Sequence, residues 1–543
     1  MNATPPETVR GDEALALGAL AAGISLAVGY PGSPATGIFE ALVRLSAPGP
    51  LTLEWAANEK VAMEMAIGAS LAGRRALVVV KGVGLNIALD PLATMSYSGC
   101  HTGLVIAVGD DPTGWSSQNE QDSRWLARLA EVPIVEATET ATAAALMAQA
   151  FAWSEGLYTP IILRLTRGLA QERATLREPP WQLPPPVGRF IRKEDRWTVY
   201  PRVVVQRHHS LHRRLRSFQQ ALASSPYDVL YGEGDLGILA AGHTFSKVRS
   251  LGQDLSGLSL LGLASAWPLP EERLAVWMRG LRRLLVLEEG GPFIEEQVRV
   301  VAQRHGLPLE IWGRANRALP EEGELGPKEI ALAIEAFTGN APFVPVNTFP
   351  DVAMPATSLC EDCPYRPTFD ALRAAMDRLG GRERYLIVGE TSCMVRAIQT
   401  GLFDVKYSLG SALGIALGLA LYEKHHRVIA LLGDSCFFHS EVNALSTLVQ
   451  RQAPLTVILL DNDTTAQTGG QPHPGTPHDV HRTPRPRVKI ERVIAAYGLE
   501  AEILSPQQPV ILQTAFESAL ADDRPRVLIV REPCPRYRSK EEL

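Results

Sequence analysis

Short apolar runs that end in glycine-containing turns constrain this chain more than any other feature. Residues 76–80 (ALVVV) and 104–108 (LVIAV) carry no polar residue at all. A strand without polar alternation has to be covered on both faces, which is the situation of a parallel strand in an α/β layer. Segments of helical periodicity, 13–22 and 58–72, flank these runs, and the short run 25–29 stops at Tyr30-Pro31-Gly32-Ser33-Pro34. Strand–helix alternation of this kind implies a doubly wound α/β layer.

The rhythm returns twice. Residues 236–241, 259–263 and 283–288 are the strands of a smaller unit, and 385–388, 428–432, 455–460 and 526–530 those of a third. Between them the chain turns Pro-rich. The expected division is an α/β domain at 1–177, a basic linker or surface excursion at 178–226, a smaller α/β domain at 227–340, a linker at 341–358 and a last α/β domain at 359–543. A length of 543 residues suits three or four domains at roughly 100–200 residues each.

Charge and hydropathy exclude some functions. The net charge is -6, with acids and bases interspersed, so no basic face invites nucleic acid. The longest apolar stretch, 409–422, is studded with Gly and Ser and falls short of the ~20 residues of a membrane span; it reads as a buried helix. The N-terminus has no cationic start followed by an apolar run, so no secretory signal is expected and the cytoplasm is the default location. There the six cysteines are expected as reduced thiols or metal ligands rather than disulfides.

The most informative motif spans two strand ends. The run 428–432 leads directly into Gly433-Asp434-Ser435, and 455–460 leads into Asp461-Asn462-Asp463-Thr464-Thr465. Both loops lie at carboxyl ends of parallel strands, where open α/β sheets bind ligands. Gly433 permits a tight turn. The Asp434 carboxylate and the Asn462 amide oxygen are hard ligands suited to Mg²⁺, a backbone carbonyl near Thr464 adds a third, and magnesium bridges such oxygens to phosphate. A helix starting after Ser435 would aim free N–H groups at that anion. The pattern therefore predicts a magnesium–diphosphate site.

GDSCFFHSEVNAL followed by LLDNDTTAQTGGQPHPGTP resembles the thiamine-diphosphate loop of 2-oxoacid:ferredoxin oxidoreductases, specifically the indolepyruvate ferredoxin oxidoreductase alpha subunits. GYPGSPAT, EWAANEKVAMEMAIGASLAG, VVVKGVGLN and DDPTGWSSQNEQDSR in the first third are similar to that family's motifs, and LGILAAGHTFS, PLPEERL and VLEEGGPFIEEQV resemble its transketolase-C-like domain. The resemblance runs through nearly the whole chain in order. It implies two thiamine-diphosphate-binding, doubly wound parallel-sheet units, the first holding the pyrimidine and the last the diphosphate, with the smaller unit between them. It makes Glu59 the carboxyl group that bonds the aminopyrimidine ring nitrogen and so activates the cofactor. It also places Tyr30, Pro31, Gly32, Ser33 and the Lys81–Asn86 loop near the reacting carbon, and Gly410, Ser411 and Gln467 against cofactor or substrate. His439 and His473 are candidate proton carriers.

Cys360-Glu-Asp-Cys363 is a CxxC, and Cys393 and Cys534 each follow a strand of the same unit. Four thiolates suffice for a [4Fe–4S] cluster, and by resemblance this would be a cluster beside the cofactor; tetrahedral zinc on the same four is the alternative. Cys436 stands where the family has Thr and reads as packing, as does Cys100. The family's C-terminal ferredoxin-like module and its gamma-like domain are not found in the sequence. The resemblance therefore implies a gamma- or beta-like second subunit, a ferredoxin or other redox partner and a dimer of heteromers. The implied reaction is oxidative decarboxylation of an aryl or bulky 2-oxoacid, with coenzyme A taking the acyl group. A non-oxidative decarboxylase or carboligase and a non-catalytic scaffold subunit are the competing readings.

Overall fold

A computed structural model describes residues 8–46, 49–177, 182–184, 186, 188–192, 194–346 and 358–537. The Pro-rich tract 178–186 lies partly, and the linker 341–358 largely, outside the described residues. Two units are distinguished: Met1–Glu54 with Glu59–Ala353, and Trp55–Asn58 with Met354–Leu543.

The first unit carries two sheets built on parallel strands. The larger has seven strands in the order Ser265–Trp267, Ile134–Glu136, Ile161–Thr166, Leu104–Asp110, Ala76–Lys81, Leu26–Gly29 and Thr52–Trp55. Ala76–Lys81 pairs in parallel with Leu26–Gly29 and with Leu104–Asp110, and its residues 76–80 are wholly buried. The smaller sheet orders Glu310–Trp312, Arg283–Leu287, Leu236–Ala241, Leu258–Leu263 and Val229–Tyr231, the last antiparallel. The apolar strand runs of the sequence are thus central parallel strands.

One expectation is corrected here. Residues 204–222, expected as part of an irregular excursion, form a helix, Val204–Leu222. Its Leu211, Leu215, Phe218 and Leu222 are buried and repeat at helical spacing, forming one apolar stripe. Phe218 meets Trp153 edge to face at 5.3 Å between ring centres. The segment 227–340 carries the smaller sheet, and its strand Ser265–Trp267 pairs antiparallel with Ile134–Glu136 on the edge of the larger one.

Buried charges run through this unit, and Arg124 links its two sheets. Arg124, fully buried, bonds Asp122 in bidentate fashion and reaches Glu288 at 2.7 Å. Arg164, equally buried, pairs with Asp110 at 2.5 Å and Glu136 at 2.9 Å. Lys247 joins Glu289 and Glu324 at 2.6 and 2.7 Å. Burial raises Asp110 and Glu288 above the usual carboxylate range. Burial also pushes Asp122 upward, but Arg124 more than offsets it and holds that group at about 2.

The second unit is a six-stranded, all-parallel sheet ordered Val405–Lys406, Tyr385–Gly389, Arg427–Gly433, Leu455–Asp461, Arg526–Arg531 and Ala501–Leu504. Apolar clusters cover it on both faces, around Phe369, Leu372 and Phe516 on one and Leu413, Phe437 and Leu448 on the other. The apolar helix Ala412–Tyr422, expected to be buried, buries one side only: Ala412, Leu413, Ala416 and Leu417 face the sheet, whereas Leu421 and Tyr422 are exposed. No helix among the described residues is long and apolar enough to cross a membrane.

If the helix Val204–Leu222 is part of the fold, Phe218→Ala should cost about 3–5 kcal/mol, the range for emptying a buried aromatic site. Urea unfolding would show a lowered midpoint, whereas a loosely tethered excursion would leave it unchanged.

Candidate functional site

In the second unit the two motif loops meet at the ends of neighbouring strands, where Gly433 stands in register with Leu460. Asp434 and Asn462 are both buried. Asp434 Oδ2 accepts the Asn462 N–H at 3.0 Å, and Oδ1 accepts the Ser435 N–H at 2.8 Å. Asp463 adopts φ +60, a left-handed conformation that Asp tolerates better than most residues, so the chain turns sharply and the Thr464 N–H reaches Asn462 Oδ1 at 3.2 Å. Behind it the loop ties itself down: Thr465 N–H donates to the Gln471 carbonyl at 3.0 Å, and Gln471 Nε2 donates to the Thr468 carbonyl at 2.9 Å. Gln467 lies half-buried in that loop.

The electrostatics of this pocket favour a cation. Burial and the neighbouring Asp434 push Asp461 up to about 6 even though Arg531 pairs with it at 2.7 Å. Burial likewise raises Asp463, although Arg487 stands beside it. The Asp434 carboxylate and the Asn462 amide oxygen are hard donors of the kind magnesium takes, and a divalent ion would relieve the repulsion between Asp434 and the nearby Asp461 and Asp463. The site residues fit the metal expected from the sequence.

His473 is buried against this carboxylate, with Nε2 3.2 Å from Asp434 Oδ2. Its Nδ1 accepts the Gly475 N–H at 3.0 Å. A neutral imidazole has one donor and one acceptor nitrogen, so the Gly475 amide sets the tautomer in which Nε2–H points at Asp434. His439 is buried one turn past Ser435, and its Nδ1 faces Ser440 Oγ at 2.5 Å.

Two acids escaped the sequence reading. Glu390, fully buried, follows the strand Tyr385–Gly389 and accepts the Gly433 N–H at 2.7 Å and the Gly410 N–H at 3.0 Å. The Gly410 amide expected to face the cofactor is thus engaged by Glu390, while Ser411 Oγ donates to the Ser408 carbonyl at 2.7 Å. Glu441 accepts the Leu413 N–H at 3.2 Å. It is turned inward where the helix starting at Asp434 widens into a π-turn over Phe437–Glu441, a local form frequent at functional sites. Burial and then the proximity of Glu441 hold Glu390 well above the usual carboxylate range. The available signal was Gly389-Glu390, a Gly–acid pair at a strand end that mirrors Gly433-Asp434 one strand away.

Cys360, Cys363, Cys393 and Cys534 line one cavity of about 40 Å³, together with Asn462, Tyr365 and Tyr537. The Cys534 N–H donates to the Asn462 carbonyl at 3.1 Å, so this loop is moored to the magnesium-type site. Burial pushes Cys393 up to about 12, and burial also raises Cys363 and Cys534, with the neighbouring thiols adding to it. Among the described residues no three of these sulfurs lie within 4.8 Å of one another. Cys436 and Cys100 are buried away from this cavity.

In the first unit, Glu59 opens the helix Glu59–Leu71 and is buried. A Cβ on Gly84 would stand 2.4 Å from Glu59 Oε1, so glycine is what leaves room for that carboxyl group. Tyr30, Pro31 and Gly32 are buried after the strand Leu26–Gly29, and Ser33 is exposed. A Cβ on Gly32 would meet Lys81 Cδ at 2.8 Å. Residues 82–86, expected as a loop, open the helix Gly82–Ser98, and the Tyr30–Ser33 turn, Lys81 with the first turn of that helix, and Glu59 form one contiguous group. Asn86 extends it through paired amide bonds with Gln121 at 2.9 and 2.8 Å.

Glu390→Ala would leave the Gly433 and Gly410 amides without acceptors, at a cost of roughly 2–5 kcal/mol for two buried donors. Urea unfolding of the purified variant checks this; stability equal to wild type would show that solvent replaces the carboxyl group.

Known proteins are similar to this chain along most of its length. The model of the thiamine-diphosphate-binding domain of pyruvate flavodoxin/ferredoxin oxidoreductases matches residues 17–205, and that of the C-terminal TPP-binding domain of thiamine pyrophosphate enzymes matches 394–530. Indolepyruvate oxidoreductase subunit IorA of Methanothermobacter thermautotrophicus is 31% identical over 535 residues, covering 96% of this chain and 86% of that one. IorA of Pyrococcus abyssi is 32% identical over 565 residues, covering 97% and 85%. The 2-oxoglutarate synthase subunit KorB of Archaeoglobus fulgidus is 25% identical over 189 residues, 33% of this chain and 71% of its own length. Likeness at this level over almost the full length places the chain in the indolepyruvate oxidoreductase IorA (alpha-subunit) family, enzymes of thiamine-diphosphate-dependent 2-oxoacid oxidoreduction.

Proposed function

We propose that this chain carries out oxidative decarboxylation of a bulky, indolepyruvate-like 2-oxoacid, with Mg²⁺ and the cofactor diphosphate held at Asp434, Asn462 and the backbone carbonyl at Thr464. The observation that carries the reading is the buried Asp434–Asn462 contact at the ends of adjacent parallel strands, crowded by Asp461 and Asp463. In this reading 1–177 binds the pyrimidine, 227–340 is the transketolase-C-like part and 359–543 binds the diphosphate.

Thiamine diphosphate, when bound, supplies the nucleophilic carbon and the electron sink that decarboxylation requires. The protein's own groups do the rest. Gly433 and Ser435 bring backbone close to the diphosphate, and His473 holds the Asp434 carboxylate in orientation through its Nε2–H. Glu59, a buried carboxyl group with little freedom to move, exchanges a proton with the pyrimidine ring nitrogen. Tyr30, Pro31, Gly32 and Ser33 face the substrate side, with Gly410, Ser411 and Gln467 around the cofactor.

Cys360, Cys363, Cys393 and Cys534 would hold a [4Fe–4S] cluster, which would supply a one-electron carrier for the two electrons of the oxidation. The four thiols come from three loops to line one cavity, a donor set that suits an iron–sulfur cluster. Asn462, a proposed magnesium ligand, lines the same cavity, which supports an electron carrier beside the cofactor. Coenzyme A accepts the acyl group and a ferredoxin-like protein the electrons. The curated relatives are named as subunits, which supports a second, gamma- or beta-like polypeptide and a dimer of heteromers.

Asp434→Ala should abolish magnesium-dependent thiamine diphosphate binding in calorimetry while Cys393→Ser retains it; unchanged affinity in Asp434→Ala would refute the site. Cys393→Ser, purified without oxygen, should lose iron and the brown absorbance of the wild type, and a colourless, iron-free wild type would refute the redox reading. Glu59→Gln should lower turnover by roughly 10²–10⁴, the usual contribution of a positioned proton carrier, with cofactor affinity within a few-fold of wild type.

A further inference from the structure

Away from the strand-end sites, the described residues hold one group of three metal-type ligands whose donor atoms all lie within 4.8 Å of one another: Glu131, His208 and His212. The two histidines are one turn apart on the helix Val204–Leu222, so their imidazoles leave the same face. Glu131 follows the helix Ser123–Leu129, in a left-handed conformation with φ +55. Its two carboxylate oxygens take one imidazole each, Oε2 facing His208 Nε2 at 2.5 Å and Oε1 facing His212 Nε2 at 2.9 Å. Tyr97 stacks on the His208 ring at 5.2 Å and limits its rotation. All three side chains are partly exposed, between 26% and 44%, so an ion can enter from solvent.

We infer that Glu131, His208 and His212 form a site for a borderline divalent transition metal, with Zn²⁺ its natural occupant. Two imidazoles and one carboxylate are an established zinc ligand set that leaves a fourth position to water. Donor atoms around tetrahedral zinc stand about 3.3 Å apart for bonds of about 2.0 Å, so small rotations of the three side chains from the present spacing suffice. Each imidazole binds through Nε2 and keeps its proton on Nδ1. The set has too few oxygens for Mg²⁺ or Ca²⁺ and no thiolate for a soft ion. The helix also bears Arg207, Arg213, Arg214 and Arg216, so the Glu131 carboxylate is what makes a dication tolerable there. Because Glu131 and His208 are 77 residues apart in the chain, the ion would staple the 204–222 helix to the α/β layer and stabilise this unit.

The test uses the full chain with its cysteine site intact, dialysed against buffered Zn²⁺, with metal content and melting temperature as readouts. The double variant His208→Asn/His212→Asn should hold about one zinc equivalent less than wild type, a single ion per site, and lose the zinc-dependent rise in melting temperature. His209→Asn, on the exposed side of the same helix, should behave as wild type. Glu131→Gln keeps both imidazoles and should also lose the equivalent, which covers the case of a double variant that fails to fold. Equal zinc content in wild type, Glu131→Gln and the double variant would overturn the inference. So would an equal loss in His209→Asn, which would mark the zinc as adventitious.

Discussion

The hydrogen bond from the Asn462 N–H to Asp434 Oδ2 joins the ends of two neighbouring parallel strands, and the polar features of the second unit are arranged around it. Asp434 is thereby turned toward the Asn462 loop, where Asp461 and Asp463 crowd it and His473 closes it from another side. Asn462 in turn offers its carbonyl to the Cys534 amide, so the cysteine-lined cavity hangs from the same residue. Glu390, one strand over, takes the Gly433 N–H and fixes the turn that presents Asp434. Strands covered on both faces leave polar chemistry no place but their ends, which is why these groups converge.

The first unit solves a different problem. Its two sheets are joined through Arg124, which pairs with Asp122 and Glu288, and through the Arg164 bond to the Glu289 carbonyl, rather than through an apolar seam alone. Buried ion pairs of this sort repay their desolvation only when every hydrogen-bonding position is used. Arg124 meets that condition, adding the Glu289 and Gly291 carbonyls to its two acids. Such a junction is directional, so it sets the register between the sheets in a way that apolar packing does not. The edge strand Ser265–Trp267 reinforces it with backbone bonds.

The strands that form the sheet centres were readable as apolar runs, and the helices Gly11–Ala21 and Glu59–Leu71 as periodic segments. Asp434 and Asn462 were readable because ligand type and strand-end position coincide in one short stretch. Glu390 and Glu441 were not. Neither is in a run that announces a metal or a nucleophile, and their burial depends on contacts with Gly433, Gly410 and Leu413 made across the sheet. The helix Val204–Leu222 was obscured by its composition, since ten of its positions are Arg, His or Gln flanking a narrow apolar stripe.

By itself the sequence determined the α/β class, the apolar strands and the polar loops that terminate them, because those follow from local periodicity and from residue types adjacent in the chain. Only the tertiary structure decided which carboxylates are buried together, which tautomer His473 adopts, that four cysteines from three loops share one cavity, and that Glu131 meets two histidines far along the chain. The physical reason is one of range. Propensity and patterning act over a few residues, whereas desolvation, charge pairing and metal-type geometry act between atoms that only the folded chain brings within a few ångströms.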